Sequence, residues 1–320
     1  MVGAQGSPYL EEGHWQISLG YRWQRSDRHF SGIEEQKIRE VTHTESINEI
    51  HLFDLGATYQ ITERLSLSGS LPYLIAERSE PISGIHGERN HTEARGFGDF
   101  SLVPRFWVLQ PSEHPTGNLS LGIGGKAPTG EDAAKDNFVV RNRETGQREV
   151  VVQAVDQSIQ PGDGGWGIVL DVQAFKSLGY FTPYATGTYL INPQDTNHVR
   201  TGRSARGEEV MSVPDQYLGR IGISMGNPWI EGLAVSVGGR VEGVPPKDLW
   251  GDSNGFRRPG YAFSIEPGIA FSIKGHTFGL SAPIAVWRER QRSVPEAANH
   301  THGDAAFADY VILFGYSYRF

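Results

Sequence analysis

The sequence predicts an all-β chain: a transmembrane antiparallel up-and-down β-barrel of twelve strands, with short periplasmic turns and long extracellular loops. Three observations carry that prediction. Apolar and polar residues alternate with period two almost throughout, while helical periodicity is nearly absent. The gaps between alternating segments are by turns long and short. Aromatic residues, among them Trp15, Trp23, Tyr59, Tyr73, Tyr189, Tyr318 and Phe320, fall on the apolar face near segment ends, where girdles meet the lipid boundary. A soluble sandwich would also alternate, but it has no reason for the second and third features.

The first segment sets Trp15, Ile17, Leu19, Tyr21 and Trp23 against Gln16, Ser18, Gly20, Arg22 and Gln24. Phe53, Leu55, Ala57 and Tyr59 then oppose Asp54, Gly56, Thr58 and Gln60, and Leu65, Leu67, Leu71, Tyr73 and Ile75 oppose Ser66, Ser68 and Ser70. Phe100, Leu102, Phe106 and Val108 alternate with Asp99, Ser101 and Arg105; Leu119, Leu121 and Ile123 with Ser120, Gly122 and, further on, Lys126. The middle of the chain continues with Ile168, Leu170 and Val172 against Asp171 and Gln173, then Phe181, Ala185 and Tyr189 against Thr182, Thr186 and Thr188. Next come Tyr217, Ile221 and Ile223 against Arg220 and Ser224, and Leu233, Val235, Val237 and Val241 against Ser236, Arg240 and Glu242. Phe263, Ile265, Ile269 and Phe271 face away from Ser264, Glu266 and Ser272; Phe278, Leu280, Ile284 and Val286 from Gly279 and Ser281. The last segment places Tyr310, Ile312, Phe314, Tyr316, Tyr318 and Phe320 opposite Val311, Leu313, Gly315, Ser317 and Arg319. The long gaps are 26–46, 77–96, 128–165, 192–214, 243–260 and 289–307, and the short ones 61–64, 109–117, 177–180, 226–232 and 273–276. An even strand count puts both termini on the periplasmic side. Residues 1–13 read as a short periplasmic lead-in, and 14–320 as one barrel domain.

Backbone amides find no water in lipid, so a sheet can cross a bilayer only when closed on itself. Its outer face must then be apolar, whereas its lumen can be polar. The negative mean hydropathy follows, because only half of each strand meets lipid. The composition excludes other classes. No apolar run approaches the ~18 residues of a spanning helix, and the net charge of −8 argues against a nucleic-acid partner. With 38% apolar residues the chain is too hydrophobic for disorder. The absence of Cys removes disulfides, thiolate catalysis and Cys-based zinc sites. The first six residues contain neither a basic nor an apolar leader region, so a leader peptide is expected to be missing from this numbering.

Residues Gly96-Phe97-Gly98-Asp99 and, later, Lys126-Ala127-Pro128-Thr129-Gly130 resemble a known pattern. A G-x-G-D strand preceding a strand that ends in K-x-P-T-G is similar to the transporter-like outer-membrane family named for the MetA pathway of phenol degradation. The resemblance is sharpest over 96–130. It implies a barrel that passes aromatic or other small organic molecules in a Gram-negative outer membrane. The terminal Phe320, after Tyr316 and Tyr318, likewise resembles the C-terminal signal read by the barrel-assembly machinery.

By parity, Arg22, Arg105, Lys126, Arg220, Arg240 and Arg319 point into the lumen, as do Asp54, Asp99, Asp171, Glu242 and Glu266. Such a set either fills the barrel with cross-strand salt bridges or lines a wet pore whose opposed charges orient a solute. Its near balance of sign argues against strong ion selectivity. Seven of the 11 His lie in long gaps: His29, His43, His86, His91, His198, His300 and His302. In an extended segment His300, His302 and Asp304 would share a face and could bind a divalent metal, while the bland reading is a solvated loop. Catalysis has little support. His51 lies on the apolar face without an H-x-S neighbour, and Ser66, Ser68 and Ser70 face the lumen. The 128–165 gap contains two β-rich runs around Glu144-Thr145-Gly146, which reads as a hairpin extending beyond the membrane or folding over the mouth. Pro72, Pro104, Pro183, Pro267 and Pro283 fall inside strands and are expected at bulges or the rim.

The leading expectation is a channel passing a small, aromatic or otherwise hydrophobic organic solute by passive diffusion without a cofactor, with outer-membrane lipid around it. A closed barrel displaying its loops to an extracellular partner is the alternative, and an outer-membrane enzyme a lesser one.

Overall fold

A computed structural model describes residues 9–85, 87–142 and 144–320. His86, expected in a long loop, lies outside the described residues, as do residues 1–8 of the lead-in. Twelve antiparallel strands form the wall. They are β1 (Trp15–Ser31), β2 (Ile47–Gln60), β3 (Leu65–Pro81), β4 (Arg89–Phe97, resuming as Phe100–Trp107), β5 (Gly117–Ala127) and β6 (Gly167–Lys176). They continue as β7 (Phe181–Ile191), β8 (Gln216–Gly226), β9 (Leu233–Val244), β10 (Gly260–Ile273), β11 (His276–Ser281, resuming as Ile284–Arg290) and β12 (Ala305–Arg319). Each pairs with its neighbour in sequence, and β12 returns to β1 from Gln16↔Arg319 to Phe30↔Ala305. The sheet is therefore closed. Among the described residues no helix is long and apolar enough to cross a membrane.

Exposure is inverted relative to a water-soluble protein. On β10, Phe263 and Ile265 are 42% and 48% exposed while Ser264 and Glu266 are 5% and 2%. Large apolar side chains coat the outside, as lipid requires, and ionic groups are enclosed. Aromatic contacts mark one edge of this coat, with Trp15 against Tyr59 at 4.8 Å and Tyr318 against Phe320 at 5.5 Å. At the opposite edge Tyr73 meets Phe97 at 5.1 Å and Tyr189 stacks on Tyr217 at 6.3 Å.

Several strands run further outward than the alternation indicates. Segments 26–31, 77–81, 89–96 and 305–307, expected in loops, are paired strand. Above the bilayer both faces of the wall meet water, so the apolar alternation fades although the backbone ladder continues. β1 also shifts register against β12 on either side of Ser26, as a bulge does.

Two wall strands are interrupted. The upper part of β4 pairs with β3 from Pro81↔Arg89 to Tyr73↔Phe97 and the lower part from Ser70↔Ser101 to Leu65↔Phe106. The upper part of β11 pairs with β10, but its only ladder pair with β12 among the described residues is Ile284↔Tyr310. Prolines sit at these lapses. Pro283 occupies the gap in β11, Pro104 falls where the β4–β5 pairing skips from Leu102 to Arg105, and the Pro72 carbonyl accepts the Gly98 amide at 2.8 Å. Pro183 instead stays within a ladder opposite Ile223.

Candidate functional site

The lumen is built in three storeys. The outermost is set by the 128–166 connection. Its hairpin, Lys135–Arg141 with Arg148–Ala154, rises beyond the wall and is tied to β4 by Asn90, whose side chain bonds both the amide and the carbonyl of Val139. The chain then turns inward. Val155 and Ile159 are fully buried against Leu74, Ala76 and Ala94 on the lumenal side of β3 and β4, with Ile50 and Leu52 of β2 packed alongside.

The motif residues pin this inward turn. Asp99 accepts the amides of Gly130 at 3.0 Å and Asp163 at 3.1 Å, and the Lys126 ammonium at 3.3 Å. Lys126 also pairs with Asp163. Thr129 accepts the Phe100 amide and donates to the Gly98 carbonyl. A Cβ on Gly98 would lie 2.8 Å from the Pro161 carbonyl, and one on Gly130 2.8 Å from the Gly98 backbone, so these crossings require glycine. Burial pushes the Asp163 carboxyl up, against the pull of Lys126. Asp156, also on this turn, is buried; burial alone would raise it, but Arg258 and Arg78 hold it well below the usual carboxylate range. Arg258 reaches it from the 245–259 connection with two bonds, at 2.8 and 2.7 Å.

Below lies a cavity of about 1120 Å³. Its rim includes His29 and Arg39, and its floor Arg22, Arg240, Glu242 and Ser264. Aliphatic side chains line it from two sides, Ile50, Leu52 and Val311 on β2 and β12, and Val169, Leu190 and Leu218 on β6, β7 and β8. The floor is a chain of ion pairs. Arg22 on β1 reaches across to Glu242 on β9 with two bonds, 2.9 and 3.0 Å. Arg240 donates to Glu242 at 2.7 Å and lies 3.7 Å from Glu266, which takes two bonds from Arg220, 3.0 and 2.6 Å. On the other side of the barrel Arg105 pairs with Asp171 at 2.8 Å and with the Ser68 hydroxyl at 2.7 Å. Asp54 accepts from Ser70 at 2.5 Å.

The lowest storey is aromatic. Trp107, Phe175 and Tyr184 are buried on the lumenal face at the periplasmic end, and Tyr9 enters among them. Its ring stands edge-on to Trp107 at 4.9 Å and to Phe175 at 5.7 Å, and its hydroxyl donates to the His114 carbonyl at 2.7 Å. Arg319 donates to Gln16 at 2.8 Å beside this closure. The lead-in is thus not merely a tether, since its described end packs inside the barrel.

Parity points these charges inward, and the structure divides them between floor (Arg22, Arg220, Arg240, Glu242, Glu266), the strand beside Arg22 (Asp54), loop anchor (Asp99, Lys126), opposite wall (Arg105, Asp171) and periplasmic end (Arg319). His300, His302 and Asp304 are not assembled as metal ligands. His300 is exposed in a turn with φ 54°, His302 bonds the Arg290 carbonyl at 2.9 Å, and Asp304 is engaged by Arg39 and His29. The strand-like geometry that would align them begins only at Ala305, and no group of three or more His, Asp or Glu suited to a metal occurs among the described residues. His51 bonds the Tyr21 hydroxyl at 2.9 Å on the outer face. Arg78, Asp156, Asp163, Arg258 and the lumenal aromatics escaped the sequence reading. The aromatics had a signal, because Trp107 and Phe175 occupy polar-parity positions.

No family model and no curated protein matches the chain, so the motif likeness over 96–130 rests on its residues alone. Among solved structures, the COG4313 outer membrane channel from Pseudomonas putida F1 is similar at a TM-score of 0.62 and 13% identity, covering 99% of both chains. The translocator domain of the autotransporter NalP from Neisseria meningitidis is similar at 0.52 and 13%, covering 98% of this chain and 91% of that one. The β domain of the Bordetella autotransporter BrkA is similar at 0.50 and 12%, covering 97% and 100%. The likeness is one of fold: a bacterial outer-membrane barrel.

Proposed function

We propose that the protein is a passive outer-membrane channel for small organic solutes that carry an apolar body. The observation that carries this reading is the cavity beneath the inward loop, where aliphatic side chains from two sides stand over an ionic floor inside a closed barrel. Water and ions alone need no apolar wall, and a purely structural barrel of this width could fill the same volume with side chains. The likeness to a COG4313 channel supports the reading at the level of fold, and the motif over 96–130 supports a related transport family.

The solute enters between the loops, loses part of its hydration against Leu52, Leu190 and Leu218, and passes the floor and the aromatic closure by small rearrangements. No covalent step is involved. Planar-bilayer recording tests this. The expected result is sustained openings in KCl, reduced by a small aromatic solute but not by a sugar of similar size. Lasting silence in both the native chain and a variant with its loop released would favour the alternative, a closed barrel presenting its loops to a surface partner; the resemblance to autotransporter β domains is compatible with that.

A further inference from the structure

The charge on the cavity floor does not cancel. Three guanidinium groups, Arg22, Arg220 and Arg240, share two carboxylates, Glu242 and Glu266. Arg240 is only 5% exposed, and its Nε–H is buried without an acceptor. A buried unsatisfied donor on a cation is costly unless something accepts from it. The same residue lines the cavity, and Ser264, its register partner on β10, lines the floor beside it. Higher up, the basic side chains that line the cavity are matched: Arg257 pairs with Asp248, Arg258 and Arg78 with Asp156, Arg203 with Glu208, and Lys126 with Asp99 and Asp163. The surplus positive charge is therefore confined to the floor, where a solute must pass, with aliphatic side chains of β6, β7 and β8 next to it.

We infer that this floor is a binding site for the carboxylate of a small amphipathic organic acid, with Arg240 as its principal donor and Arg22 as the second. The apolar body of the acid lies against Val169, Leu190 and Leu218, which share the adjoining strands β6, β7 and β8. A carboxylate supplies the acceptor that Arg240 lacks and neutralises the surplus charge, and the match of planar guanidinium to planar carboxylate favours it over a spherical anion. The inference rests on the channel reading for its purpose, but not for its test.

Benzoate is the probe. Detergent-solubilised protein is titrated with benzoate, benzyl alcohol, benzylammonium and inorganic phosphate by calorimetry, and the same four are added to single channels. Benzoate is expected to bind and to reduce the current, and the alcohol and the cation to do neither at equal concentration. Arg240→Gln weakens benzoate by about tenfold, the loss of one charge-assisted hydrogen bond. Glu242→Gln, which enlarges the positive excess, strengthens it, and this second variant decides the matter should Arg240→Gln fail to fold. Equal responses to the three aromatics, unchanged benzoate binding in a folded Arg240→Gln, or phosphate competing as well as a second carboxylate would each overturn the site. Silent bilayers with benzoate still bound would instead sink the channel reading and leave the site standing.

Discussion

Asp99→Ala tests whether the inward loop is what shapes the lumen. The carboxylate accepts two backbone amides, from Gly130 and Asp163, and an ammonium, Lys126, that is itself only 6% exposed. A hydrogen bond to a charged group contributes about 1.5–3 kcal/mol, so removing two backbone bonds costs roughly 3–6 kcal/mol. Lys126 keeps Asp163, which limits any further loss. What otherwise holds the segment in place is the burial of Val155 and Ile159, worth about 1.5–3 kcal/mol each, together with the pairing of Asp156 with Arg258 and Arg78. The loss is comparable to that burial, so the substitution moves the segment substantially toward its released state. A loss of about 4 kcal/mol alone shifts that equilibrium by roughly a thousandfold. The wall ladders do not pass through Asp99, and the barrel itself is expected to persist. Asp99→Ala should retain heat-modifiable gel migration, conduct more than the native chain in planar bilayers, and be cut by added protease within 131–165. Asp99→Asn, which keeps an acceptor but not the charge, should fall between. Native conductance together with native protease resistance in a heat-modifiable Asp99→Ala protein would refute the assignment of this cluster as the loop's anchor.

Three other expectations concern the remaining storeys. Tyr9→Ala removes the ring between Trp107 and Phe175 and should raise single-channel conductance and open-state noise without shifting the unfolding temperature by more than a few degrees, aromatic pairs being worth about 0.5–1.5 kcal/mol beyond their area. Arg22→Met breaks the bridge across the lumen while Arg240 still serves Glu242; it should widen the cavity floor and lower stability by about 3 kcal/mol, read from urea unfolding in detergent. Asp304 carries a pH dependence. Burial opposes its ionised form, but His29 and Arg39 more than offset this and lower its pKa to about 2. Since the folded value lies below the ordinary one of about 4, the stabilisation is complete above about pH 4 and lost as pH falls toward about 2. Amide exchange in segment 32–46 should therefore quicken between these values, and Asp304→Asn should show the fast exchange already at pH 6.

The wall was legible because lipid enforces a rule on every second residue. Where a strand crosses the bilayer, as at Trp15–Trp23 or Phe263–Phe271, the alternation places strand, face and lumenal charge together. Above the bilayer the rule lapses, and 26–31 and 89–96 read as loop although their backbones are paired. Parity could say that Arg22 and Glu242 both point inward, but not that they meet, because a contact between β1 and β9 depends on barrel closure and on the length of two side chains. The His300–Asp304 triplet fails for the opposite reason: its spacing is suggestive, but partners from β1, β11 and the 32–46 connection engage Asp304 and His302, and a turn leaves His300 exposed.

The motif shows why a short sequence pattern can say more about such a lumen than the whole rhythm of the strands. Alternation specifies a closed cylinder and is satisfied by many residue choices, so it carries little about what passes through. Gly98, Gly130 and Gly162 are different, since a methyl group on Gly130 or Gly162 would collide with the backbone of the other, and one on Gly98 with the Pro161 carbonyl and the Pro72 ring. Lys126, Asp99 and Asp163 then hold the crossing together with charge rather than apolar packing. Ionic clamping suits a loop that must lie in a wet lumen, where an apolar clamp alone would expose its surface each time the loop moved. Replacing Gly98 by Ala should thus reproduce the Asp99→Ala conductance through steric exclusion alone, with every charge retained. If Gly98→Ala folded, kept its loop protected and conducted as the native chain does, the close crossing would not be what sets the width of the lumen.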